Sequence, residues 1–329
     1  KKNKTIIIAE AGVNHNGKLH LAKKLIDIAV DAKADYVKFQ TFETDDLILK
    51  NTKTASYQKK NLKSNVSQYT MLKKYQLTQK DFIQLIKYSK KKKIKFLSTA
   101  FEEKSLLFLN KFKLDFIKIP SGEITNLPFL EEISKFNRRV LLSTGMASMK
   151  EITQAIKVLK KKKKDLIILH CTSDYPAQPK DLNLNFIKKL SKLGYVIGYS
   201  DHSSSIITPS VAVALGYKVI EKHFTISKKL KGPDHQASLE PEELIRMIKY
   251  IRDTENMMGS KQKIITESEK KTKLFVRKSI IASKIIRKGE RFSKNNLSTK
   301  RPGNGLSPFK IRSLIGKKSS KDYKQNQQI

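Results

Sequence analysis

Two histidines, two lysines and a glutamate stand where their side chains can do chemistry. His202 and His223 each follow a short apolar run, Val196–Ser200 and Val219–Glu221. If those runs are neighbouring parallel strands, about 4.8 Å apart, both imidazoles can reach one ion. Two histidines with water and substrate oxygens suit a first-row divalent ion such as Mn²⁺ or Zn²⁺. A lone histidine is more often a hydrogen-bonded core residue, so the pairing at one edge is what carries the signal. Lys38 and Lys118 lie in mid-run among apolar neighbours. A lysine in such a place is costly unless an anion pairs with it. That anion is either a carboxylate of the chain (Glu10, Glu123 or Glu221) or a phosphate or carboxylate of a substrate. In the second case serine and threonine hydroxyls from neighbouring strand ends complete the cradle.

The elements that must position these groups recur along the first two thirds of the chain. Short β-rich runs occupy Thr5–Ala9, Tyr36–Gln40, Lys95–Thr99, Phe116–Ile119, Val140–Ser143, Leu166–His170, Val196–Ser200 and Val219–Phe224. Between them lie segments with apolar residues at helical spacing, such as Leu21, Leu25, Ile28 and Ala29, or Ile152, Ala155, Ile156 and Leu159. Strand–helix alternation implies parallel strands, and eight units imply a closed (β/α)₈ TIM barrel of the α/β class. Active sites of that barrel sit at the carboxyl ends of the strands. Here every end is polar: Glu10 with Asn14-His15-Asn16-Gly17; Lys38 and Gln40, on one face; Ser98-Thr99; Lys118 with Ser121-Gly122-Glu123; Ser143-Thr144-Gly145; His170-Cys171-Thr172 with Asp174-Tyr175; Ser200-Asp201-His202; and Glu221-Lys222-His223. The step between the second and third runs is long. Asn51–Gln79, with Tyr57, Tyr69 and Tyr75, reads as an elaborated loop over the site. The barrel is expected over residues 1–256 and a linker carrying about one helical turn over 257–276. A small unit punctuated by turns, including Lys288-Gly289-Glu290, follows over 277–329. About 50 residues are marginal for independent stability, so that unit is expected to pack on a barrel, its own or a partner's.

Composition narrows the classes. Sixty-eight Lys and Arg against 30 Asp and Glu give a formal charge of +38. Clustered lysines would suit nucleic acid. Here they are spread over every segment with no stripe of interleaved aromatics, so solvated helix faces explain them better, and an anionic substrate would still be steered. The single cysteine, Cys171, excludes an intrachain disulfide and reads as a small buried residue. No run of about 18 apolar residues exists, so no membrane span is expected. Lys1-Lys2-Asn3-Lys4 leads straight into a stretch too short for a signal-peptide core, and a cytoplasmic protein is expected. His20 reads as a surface residue, His15 as a cap of the first loop, and Gly232-Pro233-Asp234-His235 as a turn whose Asp234 can still reach a substrate.

Taken together, several motifs resemble those of the sialic acid synthase family. They are Ile8–Gly17, Val37-Lys38-Phe39-Gln40, Ile119–Asn126, Leu142–Met146, Gly198–His202, and Glu221–Thr225 with Gly232–His235. Lys300–Gly305 resembles the family's carboxyl-terminal antifreeze-like (SAF) domain, and the match runs through nearly the whole chain in order. The resemblance implies an N-acetylneuraminate synthase, a transferase that condenses phosphoenolpyruvate with N-acetylmannosamine and water and releases phosphate. It implies a divalent ion, Mn²⁺ with Mg²⁺ or Co²⁺ as substitutes, held at His202 and His223, and Glu10 as the acid/base. Lys38, Thr99, Lys118, Ser121, Ser143 and Ser200 match phosphoenolpyruvate-binding positions. Gln40, Glu123, Tyr175 and Asp234 match positions near the sugar. Arg301, and with it Phe275, match groups that reach a partner's site from a swapped domain, which implies a homodimer. Legionaminic acid synthases share nearly all these motifs but take 2,4-diacetamido-2,4,6-trideoxymannose. Tyr175–Pro179 and Asn51–Gln79 are the segments expected to separate the two. Pseudaminic acid synthases fit Pro120–Glu123 and Gly232–His235 less well. A basic nucleic-acid-binding protein is the distant alternative. A silent carbohydrate-binding barrel would lack Glu10 or the histidine pair.

Overall fold

A computed structural model of the chain describes residues 4–54, 58, 59 and 66–329. Lys1–Asn3 of the amino-terminal run, and Tyr57 and Asn65 of the insertion, lie outside the described residues. The chain divides into two compact units, Lys1–Gly259 and Ser260–Ile329.

The first unit is the expected barrel. Its strands are β1 (Ile6–Gly12), β2 (Tyr36–Thr41), β3 (Lys95–Ala100), β4 (Phe116–Ile119), β5 (Arg139–Ser143), β6 (Leu166–Cys171), β7 (Val196–Asp201) and β8 (Val219–His223). They pair in sequence order, all parallel, and β8 returns to β1 to close the sheet. The largest departure from the sequence reading is at β1, which continues beyond Ala9 and bulges between Glu10 and Gly12.

Period-two alternation sorts each strand between two cores. Ile8, Tyr36, Leu97, Phe116, Leu141, Ile167, Leu169 and Val219 fill the lower barrel interior. The opposite faces, with Ile7, Val37, Val140, Ile168 and Ile220, pack against the surrounding helices in a larger core. Helix Met149–Leu159 buries Ile152, Ala155 and Leu159 as its spacing predicts, and Ser148 with Glu151 caps it reciprocally. Helix Leu19–Asp31 is turned relative to the reading: Ala22, Leu25, Ile26 and Ala29 are its buried stripe. Two overlapping apolar stripes exist in that segment, and packing against the sheet selects between them.

The insertion after β2 is helical in part. Gln68–Tyr75 forms a helix capped by the Ser67 side chain, with Met71 and Tyr75 buried. In the second unit, β9 (Ser279–Ala282) pairs antiparallel with β10 (Leu297–Lys300). Ile280, Ala282, Ile286, Phe292, Leu297 and Tyr323 form its small core. The linker reading needs correction, because a ten-residue helix occupies Glu267–Val276. None of its residues is buried, so no apolar stripe announces it. A Thr266/Glu269 capping box and the Lys270–Glu267 contact at 2.6 Å support it.

Candidate active site

The apolar plug of the barrel ends abruptly. Two residues further along each strand, the same inward faces carry Glu10, Lys38, Thr99, Lys118, Ser143, Cys171, Ser200 and Glu221, all buried. Lys38 Nζ lies 2.8 Å from Glu10 Oε2 and 3.5 Å from Glu221 Oε2, and donates to Thr99 Oγ1 at 2.8 Å. Lys118 Nζ donates to Ser143 Oγ at 2.8 Å and stands 3.5 Å from Glu221 Oε1. Ser200 Oγ donates to Glu221 Oε1 at 2.8 Å. The lysines therefore pair with Glu10 and Glu221, and both face a cleft of about 420 Å³.

The two carboxylates are driven apart. Glu10 loses its hydration, and this burial, with the negative charge of Glu221, outweighs the attraction of Lys38 and lifts its pKa to about 7. Burial acts on Glu221 in the same direction, but Lys118 and Lys38 together overcome it and hold Glu221 down at about 2. Burial pulls Lys38 down too, yet Glu10 and Glu221 leave it raised, whereas for Lys118 burial prevails and lowers it. One carboxyl group can thus exchange a proton near neutrality beside one that stays ionised, the pattern of an acid/base group next to a fixed charge.

His202 and His223 stand at one rim, their ring centroids 5.7 Å apart. Burial lowers His202 to about 4 and takes His223 well below the usual imidazole range, with His202 and Lys38 pushing His223 further, so both are neutral at pH 7. His202 Nδ1–H donates to the Thr172 carbonyl at 2.6 Å, which turns the Nε2 lone pair toward Tyr175 Oη at 3.2 Å and Ser200 Oγ at 3.3 Å. A backbone acceptor on the far nitrogen is the usual support of a metal-binding imidazole. His223 Nδ1 is buried with no hydrogen-bond partner among the described residues. Leaving such a nitrogen unsatisfied costs about 1–3 kcal/mol, so it fits a site that receives a ligand. Among the described residues no group of three or more His, Cys, Asp and Glu side chains is placed to hold an ion. A bound divalent ion would take two nitrogens from the chain, and the remaining positions would fall to water and substrate.

The NeuB family model matches residues 25–263, most of this barrel, and a SAF domain model matches 277–329. The chain belongs to the NeuB family. It is 48% identical to an N,N'-diacetyllegionaminic acid synthase of Campylobacter jejuni subsp. jejuni serotype O:2, covering 99% of both chains. It is 42% identical to a synthase of the same name from Legionella pneumophila subsp. pneumophila, over 95% of this chain and 90% of that one. Among solved structures, a citrate complex of N-acetylneuraminic acid (sialic acid) synthetase from Leptospira borgpetersenii serovar Hardjo-bovis superposes with a TM-score of 0.71 at 37% identity. That match covers 82% of this chain and 90% of the other. As a NeuB-family enzyme the chain is a phosphoenolpyruvate-dependent transferase that forms a carbon–carbon bond, a synthase of the sialic-acid type.

Of the residues singled out in the sequence, Glu10, Lys38, Gln40, Thr99, Lys118, Ser121, Ser143, Tyr175, Ser200, His202, His223 and Asp234 all line the one cleft. Ser121 Oγ accepts the Gly145 N–H at 3.0 Å. A Cβ on Gly145 would fall 2.2 Å from Ser173 Oγ and 2.8 Å from Ser121 Oγ, so a side chain there would displace both hydroxyls. Tyr175 stacks on His202 at 4.2 Å between centroids. Asp234 presents a carboxyl group that burial alone pushes up to about 6. The loop carrying it is held by His235, whose ring lies 2.6 Å from Thr225 Oγ1 and 3.1 Å from Asn16 Oδ1.

One expectation is not met within this cleft. Glu123 ends a single 3₁₀ turn, Ser121–Glu123. At three residues per turn it points away from Ser121, accepts from Asn126 Nδ2 at 2.6 Å, and lines a separate acidic hollow with Asp46, Glu102 and Glu103. Arg301 and Phe275, expected to serve a partner's site, belong to the second unit and are exposed there. Conversely, Glu221 joins both lysines although the sequence offered it only as one salt-bridge partner among three. Register with Ser200 through the β7–β8 pairing is the signal that could have singled it out. One face of the helix Gln68–Tyr75 also lines the cleft.

Proposed function

We propose that the chain is an N,N'-diacetyllegionaminic acid synthase, condensing phosphoenolpyruvate with 2,4-diacetamido-2,4,6-trideoxymannose. The resemblance of the motifs by itself points to N-acetylmannosamine. The end-to-end relatives at 48% and 42% identity, against 37% for the N-acetylneuraminic acid synthetase structure, favour the diacetamido sugar.

The observation that carries the chemistry is the layer of Glu10, Lys38, Lys118 and Glu221 at the strand ends. Lys38 and Lys118, with the hydroxyls of Thr99, Ser143 and Ser200, hold the phosphate and carboxylate of phosphoenolpyruvate. Glu221 keeps the lysines charged and apart before the substrate arrives. In the reaction C3 of phosphoenolpyruvate bonds to the aldehyde carbon, whose oxygen gains a proton. Water adds at C2, the C2–O bond to phosphate breaks, and the C2 hydroxyl proton leaves with the phosphate. Glu10, poised near neutrality, gives the proton to the aldehyde oxygen and takes one from the water. A divalent ion on His202 Nε2 and His223 Nδ1, Mn²⁺ in our reading, would supply Lewis acidity toward the aldehyde. Tyr175 packs on His202 and orients it, and Asp234 receives a sugar hydroxyl or amide. The exposed Arg301 and Phe275 support a homodimer in which the second unit serves the site of another copy.

The test is phosphate release from phosphoenolpyruvate with Mn²⁺ and each sugar. We expect kcat/KM to favour the diacetamido sugar about tenfold or more. A preference for N-acetylmannosamine would return the assignment to neuraminate synthesis, and no release with either sugar would overturn it altogether. Chelation should abolish release and added Mn²⁺ restore it.

A further inference from the structure

The cleft has two unlike walls. The wall of Lys38, Lys118 and the hydroxyls is built for an anion. The other is apolar: Val13, Leu47, Met71, Leu72, Tyr75 and Phe101 line it and form one small cluster, separate from both barrel cores.

Its centre is a helix face. Gln68, Met71, Leu72 and Tyr75 are spaced i, i+3, i+4 and i+7, and all four line the cleft. Met71 is 3% and Tyr75 2% exposed, while Leu72 is half-buried. The other side of the helix is tethered outside the cleft. Asp45 takes a hydrogen bond from Tyr69 Oη and an ion pair from Lys73, at 2.5 and 2.8 Å, and Gln76 bonds Glu43 and Thr44. At its carboxyl end the Lys74 carbonyl would lie 2.4 Å from a Cβ on Gly17, a residue at φ +70°. Only glycine lets the helix come so close.

An apolar wall discriminates between sugar ends. A hydroxyl turned against it gives up water without a replacement bond, whereas a methyl group gains by burial. We infer that the Gln68/Met71/Leu72/Tyr75 face is the specificity element of the enzyme, seating the 6-deoxy, 4-acetamido end of the sugar while the anion wall holds phosphoenolpyruvate. The inference rests on the reading that the substrate is the diacetamido trideoxy sugar, and it assigns that preference to particular side chains.

The experiment measures kcat/KM for N-acetylmannosamine, its 6-deoxy counterpart and the diacetamido trideoxy sugar, in wild type, Leu72→Gln and Leu72→Ala. Wild type should prefer each deoxy sugar to N-acetylmannosamine. Leu72→Gln should shrink that preference about 10–200-fold, the range one methyl-sized contact can supply, and Leu72→Ala, which introduces no polar group, should shrink it less. Equal losses on all three sugars in both variants would make the wall a mere support and overturn the inference. The function assignment would survive that result if wild type still prefers the diacetamido sugar. A wild-type preference for N-acetylmannosamine would overturn both.

Discussion

Glu221 and Lys222 are neighbours on β8, both buried and both charged, and they face opposite sides of the sheet. Lys222 points outward into the helix layer and finds a closed environment. Its Nζ lies 2.7 Å from Asp201 Oδ2, with both side chains 0% exposed, and it also donates to the Ser203 carbonyl. Asp201 Oδ1 in turn accepts from the Ser203 N–H at 2.9 Å and Tyr199 Oη at 3.3 Å. Glu221 points inward. It stands 3.5 Å from each of two lysines, and it borders a cleft. The outer pair is complete within the protein and holds β7 to β8. The inner cluster is looser, its acids are split between about 7 and about 2, and it has room for an anion. Burial of charge is common to both, so burial alone does not mark a site. What separates them is whether the partners are used up inside the protein.

Substitutions can break this contrast. The largest effect belongs to Glu10→Gln, which keeps the shape and removes the exchangeable proton. We expect kcat for phosphate release to fall by about 10²–10⁴-fold with little loss of thermal stability. A variant within about threefold of wild type would remove Glu10 from the acid/base role. Lys222→Met should do the reverse. It strands Asp201 without its counter-charge and should cost about 3–5 kcal/mol in urea unfolding, while molecules that remain folded turn over near the wild-type rate. A stable Lys222→Met enzyme with low kcat would mean the outer pair belongs to the site after all.

Asp234→Asn sharpens the comparison with the smallest effect, because Asp234 is a buried carboxyl group with neither kind of pairing among the described residues. Its pKa rises from an ordinary 3.8 to about 6 in the folded chain. Between those values the native state binds more protons than the unfolded state, so this group favours folding below about pH 4 and that contribution is lost as pH rises through 6. Asp234→Asn should escape the loss, gaining on the order of 2–3 kcal/mol relative to wild type between pH 4 and pH 7 in denaturant titrations. A relative gain in the opposite direction would show that Asp234 is held ionised by an unseen donor.

The sequence by itself determined the barrel and most of its rim. Period-two strands with polar residues at every carboxyl end admit few other arrangements, and that is why the placement of Glu10, Lys38, Lys118, His202 and His223 at the rim is legible in the sequence. It did not determine where a one-turn excursion sends its last residue. Glu123 was placed at the site by its motif and leaves it because a 3₁₀ turn rotates each successive side chain by about a third of a circle. Nor did it determine the helix Glu267–Val276, which is held by caps and charges and buries none of its residues. The central role of Glu221 and the apolar wall of Gln68–Tyr75 are matters of register and docking. Closure of the barrel brings Glu221 beside lysines on β2 and β4, about 180 and 100 positions earlier in the chain. Tethers to Asp45, Glu43 and Thr44 lay one helix face across the barrel mouth. Local pattern fixes which face of an element is apolar, but only the closed sheet decides which distant groups that face meets.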